Sequence, residues 1–178
     1  MGISIETLSE CNLWREYLLI FVCLGTKRFP FNRLLIELDK LIGEKKITEI
    51  VIAQIGHSTY IPQNFEYKRF MDPDEFENNM KNADLVITHG GTGSIIKALK
   101  AEKQVIAVPR LYKFGEHSDD HQLQIVNLFD ELGYIRKVNE MENLFATIND
   151  IRNNPIKKKF KSDGKIIEII ENFINQND

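Results

Sequence analysis

Short apolar runs punctuate the chain at regular intervals, each closed by glycine or small polar residues. Leu18 to Leu24, Ile47 to Ala53, Leu85 to Ile87 and Val105 to Val108 are near-continuous apolar stretches. Strands buried on both faces read this way. Tyr67 to Phe70 and Tyr134 to Val138 are expected as further short strands. Between these runs the apolar period changes to that of a helix. Phe31, Leu34, Leu35, Leu38, Leu41 and Ile42 form one face ending at Gly43. Phe76 and Met80 form another, then Ile95, Ile96 and Leu99, with Lys97 and Lys100 opposite. Ile125, Val126, Phe129 and Leu132 predict a helix that stops at Gly133, and Leu144 and Ile148 one from Met141 to Ile151. Start signals agree. Asp72-Pro73-Asp74-Glu75 reads as N-cap, first-position proline and acidic first turn, Pro30 suits a helix start, and Ser118 or Asp119 can cap the helix that follows. Strand alternating with helix throughout means an α/β fold with a mainly parallel sheet.

The chain is organised around one stretch, Asp84 to Pro109. It reads as strand, glycine turn, helix, strand. The turn, His89-Gly90-Gly91-Thr92-Gly93-Ser94, packs three glycines into six residues. In a parallel sheet this turn lies at the carboxyl edge, where open α/β proteins bind ligands. Glycine lets backbone N–H groups come close, and a helix start adds partial positive charge, so a phosphate is the natural guest. The alternative is that the glycines only permit tight strand–helix packing. The pattern is neither GxGxxG nor a Walker loop.

Three other strand ends fall on the same edge: Gly25-Thr26 with the basic pair Lys27 and Arg28, Gln54 to Ser58, and the segment after Val108. That last segment holds Glu116, His117, Asp119, Asp120, His121 and Gln122 within seven residues. Such short donors and acceptors suit a hydroxyl-rich ligand such as a sugar. His117 and His121 are four apart with Asp120 beside them, but no HExxH motif is present and no metal is expected. Ser94 lacks a GxSxG elbow and reads as a capping or phosphate-contacting hydroxyl rather than a nucleophile. His57 and His89, taken alone, read as hydrogen-bonded structural residues or as catalysts.

Composition narrows the class. The 178 residues are 43% hydrophobic and 28% charged, as in a globular domain with a proper core, and the net charge of −3 gives no reason to expect nucleic acid. Cys11 and Cys23 make neither a disulfide framework nor a metal cluster, which suits a reducing, cytoplasmic setting. The longest apolar run, Tyr17 to Leu24, is about a third of a membrane span, and Glu6, Glu10 and Glu16 before it do not suit a signal peptide. The expected organisation is an N-terminal extension over residues 1–16, one domain over 17–153, and a basic linker with a C-terminal amphipathic helix over 154–178. Ile166, Ile170, Phe173 and Ile174 stripe that helix, a candidate docking element.

The order GTxxFPF from Gly25, QIGHS from Gln54, THGGTGS from Thr88, AVPR from Ala107 and GEHxDDHQ from Gly115 resembles the C-terminal domain of glycosyltransferase family 28. It is similar to PssE-type subunits of bacterial exopolysaccharide synthesis. It also resembles the catalytic subunit of the eukaryotic two-subunit enzyme that adds the second GlcNAc to dolichol-linked sugar. The resemblance covers residues 18 to 150. It implies a Rossmann-like doubly wound sheet, the donor-binding half of a two-domain enzyme. The implied activity is transfer of a hexose from a UDP-sugar to a lipid-linked acceptor in exopolysaccharide or capsule synthesis. No further cofactor is implied. The acceptor half would be a separate membrane-associated subunit, holding this chain at the inner face of the membrane. Carried over by position, Gly90, Gly91, Thr92, Gly93 and Ser94, with His89 before them, would hold the diphosphate. Asp120, His121 and Gln122 would hold sugar hydroxyls, Glu116 and His117 would line the same pocket, and Gly25 and Thr26 would face the cleft. No catalytic base can be assigned. Where MurG-like relatives place a ribose-binding glutamate, this chain has Lys97. A non-catalytic stabilising subunit, or an unrelated phosphate-binding α/β enzyme, are the alternatives.

Overall fold

The computed structural model describes residues 18–161. The expected N-terminal extension and C-terminal helix lie outside the described residues. Six strands form one parallel sheet: β1 (Leu19–Cys23), β2 (Ile50–Gln54), β3 (Glu66–Lys68), β4 (Leu85–His89), β5 (Gln104–Val108) and β6 (Arg136–Lys137). Their order is β3-β2-β1-β4-β5-β6, with every neighbouring pair parallel. This is the doubly wound arrangement, and its topological switch point lies between β1 and β4.

Among the described residues five helices cover the sheet: α1 (Asn32–Gly43), α2 (Pro73–Asn82), α3 (Thr92–Lys100), α4 (His121–Glu131) and α5 (Leu144–Asn153). The period of 2 along each strand splits the core in two. Ile20, Val22 and Leu24, with Ile87, Ile106 and Val108, pack against Leu34, Leu35 and Leu38 of α1 and Leu144 and Ile148 of α5. Phe21 and Cys23, with Val86, Val105 and Ala107, pack against α2, α3 and α4 through Met80, Ile95, Leu99, Val126 and Phe129. The central strands bury both faces, which is why they read as unbroken apolar runs. No helix among the described residues is long and apolar enough to cross a membrane.

Several elements shift from their expected bounds, each for a local reason. α1 begins two residues after Pro30. The Phe31 N–H goes to Ser58 Oγ at 3.1 Å, and Asn32 Oδ1 accepts the Thr59 and Tyr60 N–H groups, tying the helix start to the loop after β2. The third strand pairs over Glu66–Lys68 instead of running to Phe70. Only Arg136 and Lys137 of the Tyr134–Val138 run pair with β5, while Tyr134 and Ile135 fill the core. A 3₁₀ turn at Met141–Asn143 precedes α5. Asp72 caps α2 as expected, accepting from the Glu75 N–H at 2.9 Å. The basic stretch after α5 lies against the domain. Gln104 exchanges two hydrogen bonds with the Ile156 backbone, Lys158 Nζ donates to the Leu132 carbonyl, and Phe160 meets Tyr134 edge-on.

Candidate functional site

The carboxyl ends of β1 and β4 meet at the switch point, and their loops are built around one imidazole. His89 ends β4 and is buried. A Cβ on Gly25 would lie 2.6 Å from its Cε1, and one on Gly91 would lie 2.4 Å from its Nε2. Glycine is therefore a packing requirement at one position in each loop: no side chain fits at Gly25 or at Gly91 while the ring stays. Gly25 also has φ +70, the left-handed region. Burial, with Arg110 next in weight, pushes the His89 imidazole down to about 4, so the ring is neutral. Gly90 has a different constraint. A Cβ there would sit 2.7 Å from the Gln122 Cβ and 2.8 Å from the Gln122 carbonyl.

Gly93 is free of both constraints. Nothing lies within 4 Å of a Cβ built on it, and it is exposed. It occupies the first turn of α3, whose cap residue Gly91 provides no side-chain hydrogen bond and whose first turn carries no acidic residue. The Ser94 and Ile95 N–H groups both return to the Gly91 carbonyl. The Thr92 and Gly93 N–H groups point out of the helix start, where the macrodipole adds partial positive charge. Thr92 and Ser94 are half-buried beside them.

The segment after β5 is braced from inside. Gln122 is buried, and its Oε1 accepts the N–H groups of both Gly90 and Arg110 at 3.1 Å. It thereby locks the glycine turn to the end of β5. Glu116 accepts from Arg33 Nε at 2.8 Å and from the Leu111 N–H at 3.1 Å. Burial raises its carboxyl above the ordinary range although Arg33 opposes the shift. Asp120 is exposed and accepts the Tyr112 N–H at 2.8 Å; it, and not Ser118 or Asp119, is the cap residue of α4, without a side-chain capping bond, while Asp119 accepts the His121 N–H at 2.9 Å. His117 is buried with Nδ1 3.2 Å from Asp119 Oδ1, and its ring lies 5.2 Å from that of Phe29. His121 is half-buried with Nδ1 unpartnered. Thr26 is exposed at the mouth.

Arg110 was not among the expected site residues. Arg110 is completely buried; its Nη2 donates to the Leu24 carbonyl at 2.7 Å and its guanidinium lies 5.5 Å over the Phe31 ring. The side chain thus reaches from the end of β5 to the end of β1, across the switch point. Burial pushes it down to about 10. A charged residue directly after Pro109, which closes the apolar run of β5, was the available signal. Lys97 turns away from the turn, its Nζ 2.5 Å from Glu77 Oε1 and 4.5 Å over the Phe76 ring of α2. The Gln54 to Ser58 strand end is structural in the same way: Gln54 Oε1 accepts the Met71 N–H and Ser58 holds Phe31, while His57 packs edge-on to Phe70.

The chain is similar to known proteins in sequence and in fold. The chain is 43% identical over 102 residues to the UDP-N-acetylglucosamine transferase subunit ALG13 of Saccharomyces cerevisiae, covering 52% of this chain and 48% of the relative. It is 29% identical over 123 residues to the subunit of that name from Candida albicans, covering 60% and 41%. The chain thus spans less than half the length of these relatives. Among solved structures, an NMR structure of ALG13 superposes with TM-score 0.58 at 22% identity, covering 85% of this chain and 93% of that one. The MurG of Acinetobacter baumannii superposes with TM-score 0.57 at 14% identity, covering 94% and 52%, and supports the fold alone. The family model for the glycosyltransferase family 28 C-terminal domain matches residues 19–176, and the chain belongs to that family.

Proposed function

We propose that this chain is the donor-binding subunit of a two-subunit glycosyltransferase. It would transfer a sugar from a UDP-sugar to a lipid-linked acceptor held by a membrane-associated partner. The observation that carries this reading is the uncapped start of α3, open at Gly93, at the switch point of a doubly wound sheet. A diphosphate laid on the Thr92 and Gly93 N–H groups meets preorganised dipoles that strengthen as the nucleotide departs with its charge. Ser94 adds a hydroxyl, and Asp120 and His121 present an acceptor and a ring nitrogen to the sugar. Gln122 and Glu116 act behind them, holding the turn and the segment after β5 in register. Lys97 is committed to Glu77, so ribose recognition falls to other groups.

The names of the relatives make UDP-N-acetylglucosamine the first donor to test, with UDP-hexoses beside it. The cellular role read from the sequence, exopolysaccharide or capsule synthesis at the inner face of the membrane, belongs to the same proposal. The test is reconstitution with the acceptor-binding partner: sugar transfer to a lipid-linked acceptor that needs both chains, and that fails with Gly93→Val. Transfer that survives Gly93→Val unchanged favours the other reading, a stabilising subunit. The inward commitment of Gln122 and Glu116 is the observation on its side.

A further inference from the structure

Two buried side chains of the segment after β5 have unspent hydrogen-bonding capacity. Arg110 is completely enclosed with Nε and Nη1 unpartnered, and His117 is 6% exposed with Nε2 unpartnered. Buried polar groups are almost always satisfied, so two such side chains seven residues apart point to an acceptor from outside the chain. Arg110 reaches the Leu24 carbonyl beside Gly25, which packs on His89, and its N–H shares Gln122 Oε1 with that of Gly90; His117 lies against Phe29, four residues beyond Gly25. His89 in turn packs against Gly91, the cap of α3. These nitrogen-bearing groups therefore share one neighbourhood with the helix start. The buried carboxylate there, Glu116, is already engaged by Arg33 and the Leu111 N–H.

His117 differs from Arg110 in that it can change its charge. Asp119 Oδ1 lies 3.2 Å from Nδ1, with Ser118 Oγ at 3.5 Å, and Phe29 packs on the ring. A carboxylate at Nδ1 keeps that nitrogen protonated and leaves Nε2 bare on the neutral ring; a second proton turns Nε2 into a charge-assisted donor. Asp119 stands at Nδ1, and Arg110, His89 and Lys27 are the other charged or titratable groups of this neighbourhood. An arriving diphosphate brings negative charge to Nε2 and favours a proton there.

We propose that His117 is a proton-linked anchor for the diphosphate of a nucleotide sugar, donating from Nε2 with Asp119 behind it and Arg110 as the fixed cation beneath. The inference rests on the donor-binding reading and adds a titrating residue to it. The proton is taken from solvent on binding and returned on release; no covalent bond changes.

Calorimetric titration of the full chain with UDP-N-acetylglucosamine tests this between pH 6 and 8.5, in buffers of different ionisation enthalpy. That diphosphate is esterified at both ends and lacks the terminal ionisation near pH 6, so a proton taken up belongs to the protein. Wild type is expected to take up as much as one proton and to lose affinity by up to about tenfold per pH unit at the alkaline end. His117→Gln, whose amide can donate without titrating, is expected to bind with a flat pH dependence and no proton uptake. Asp119→Asn is expected to move the loss of affinity to lower pH. Thermal melts of each variant alone separate these effects from unfolding. Wild-type binding without proton uptake, or uptake that persists in His117→Gln, overturns the proposal and leaves the donor-binding reading intact. Absence of binding at every pH counts against that reading itself.

Discussion

Gly91 and Gly93 are two residues apart in one turn, yet the geometry assigns them opposite jobs, and a methyl group at each separates the two. At Gly91 a Cβ would stand 2.4 Å from His89 Nε2 and 3.1 Å from both neighbouring ring carbons. Gly25 packs on the same ring so closely that a Cβ there would lie 2.6 Å from Cε1, which leaves the ring little room to shift. Overpacking of this kind costs about 1–3 kcal/mol. For a chain of this size each kcal/mol moves the melting temperature by about 2–4 °C, so Gly91→Ala is expected to melt about 2–12 °C lower. At Gly93 a Cβ meets nothing within 4 Å, and alanine is favoured over glycine in a helix by up to about 1 kcal/mol. Gly93→Ala is expected to melt at or slightly above the wild-type temperature. Its methyl does stand where a phosphate would approach the Gly93 N–H, and UDP affinity is expected to fall at least about tenfold, which is about 1.4 kcal/mol. The assays are a thermal melt and a calorimetric titration with UDP on the same preparations. Gly93→Ala that melts as low as Gly91→Ala, or that binds UDP like wild type, refutes the assignment.

Other consequences follow from the same geometry. Gln122→Leu strips the acceptor from two buried N–H groups, at about 1–3 kcal/mol each, and should lower stability in urea titrations by about 2–6 kcal/mol, whereas Gln122→Glu keeps an oxygen there and should lose less. Arg33→Met leaves Glu116 buried without its cation and should cost about 3 kcal/mol in the same assay; the double variant Arg33→Met/Glu116→Gln should recover part of that. The His89 imidazole titrates near 4 in the fold against 6.5 ordinarily, so the unfolded chain binds the extra proton between those values. His89 therefore contributes fully above pH 6.5, and up to about 3 kcal/mol is lost as the pH falls toward 4. Urea midpoints that stay flat from pH 6.5 to 4.5 contradict this.

How far the sequence revealed this site depends on which way each side chain points. The sheet was legible because β1, β4 and β5 are buried on both faces and carry unbroken apolar runs, and α2 because its cap is local chemistry. The glycine turn was legible as a strand-to-helix turn at the carboxyl edge of the sheet, but not the division of labour within it. That Gly91 yields to His89 and Gly90 to Gln122 depends on contacts 2 and 32 residues away, which no local pattern encodes. Glu116 and Gln122 were read as lining groups because acidic and amide residues usually face solvent or ligand; here Arg33 and the Gly90 and Arg110 N–H groups draw them inward. Arg110 was not singled out, because what carries it across the switch point is its bond to the Leu24 carbonyl, 86 residues earlier. Lys97, which stood out as a departure from relatives, is bound to Glu77 on the neighbouring helix, a pairing across 20 residues of sequence.

The central claim is that the start of α3 holds the diphosphate of a UDP-sugar. The most direct measurement is a calorimetric comparison of UDP-N-acetylglucosamine, UDP and uridine on the full chain, with and without its acceptor-binding partner. Saturable 1:1 binding of UDP and the UDP-sugar, with uridine at least about tenfold weaker because the phosphates carry the contact, is the expected result. Uridine binding as tightly as UDP, or no binding of either nucleotide even with the partner present, would contradict it.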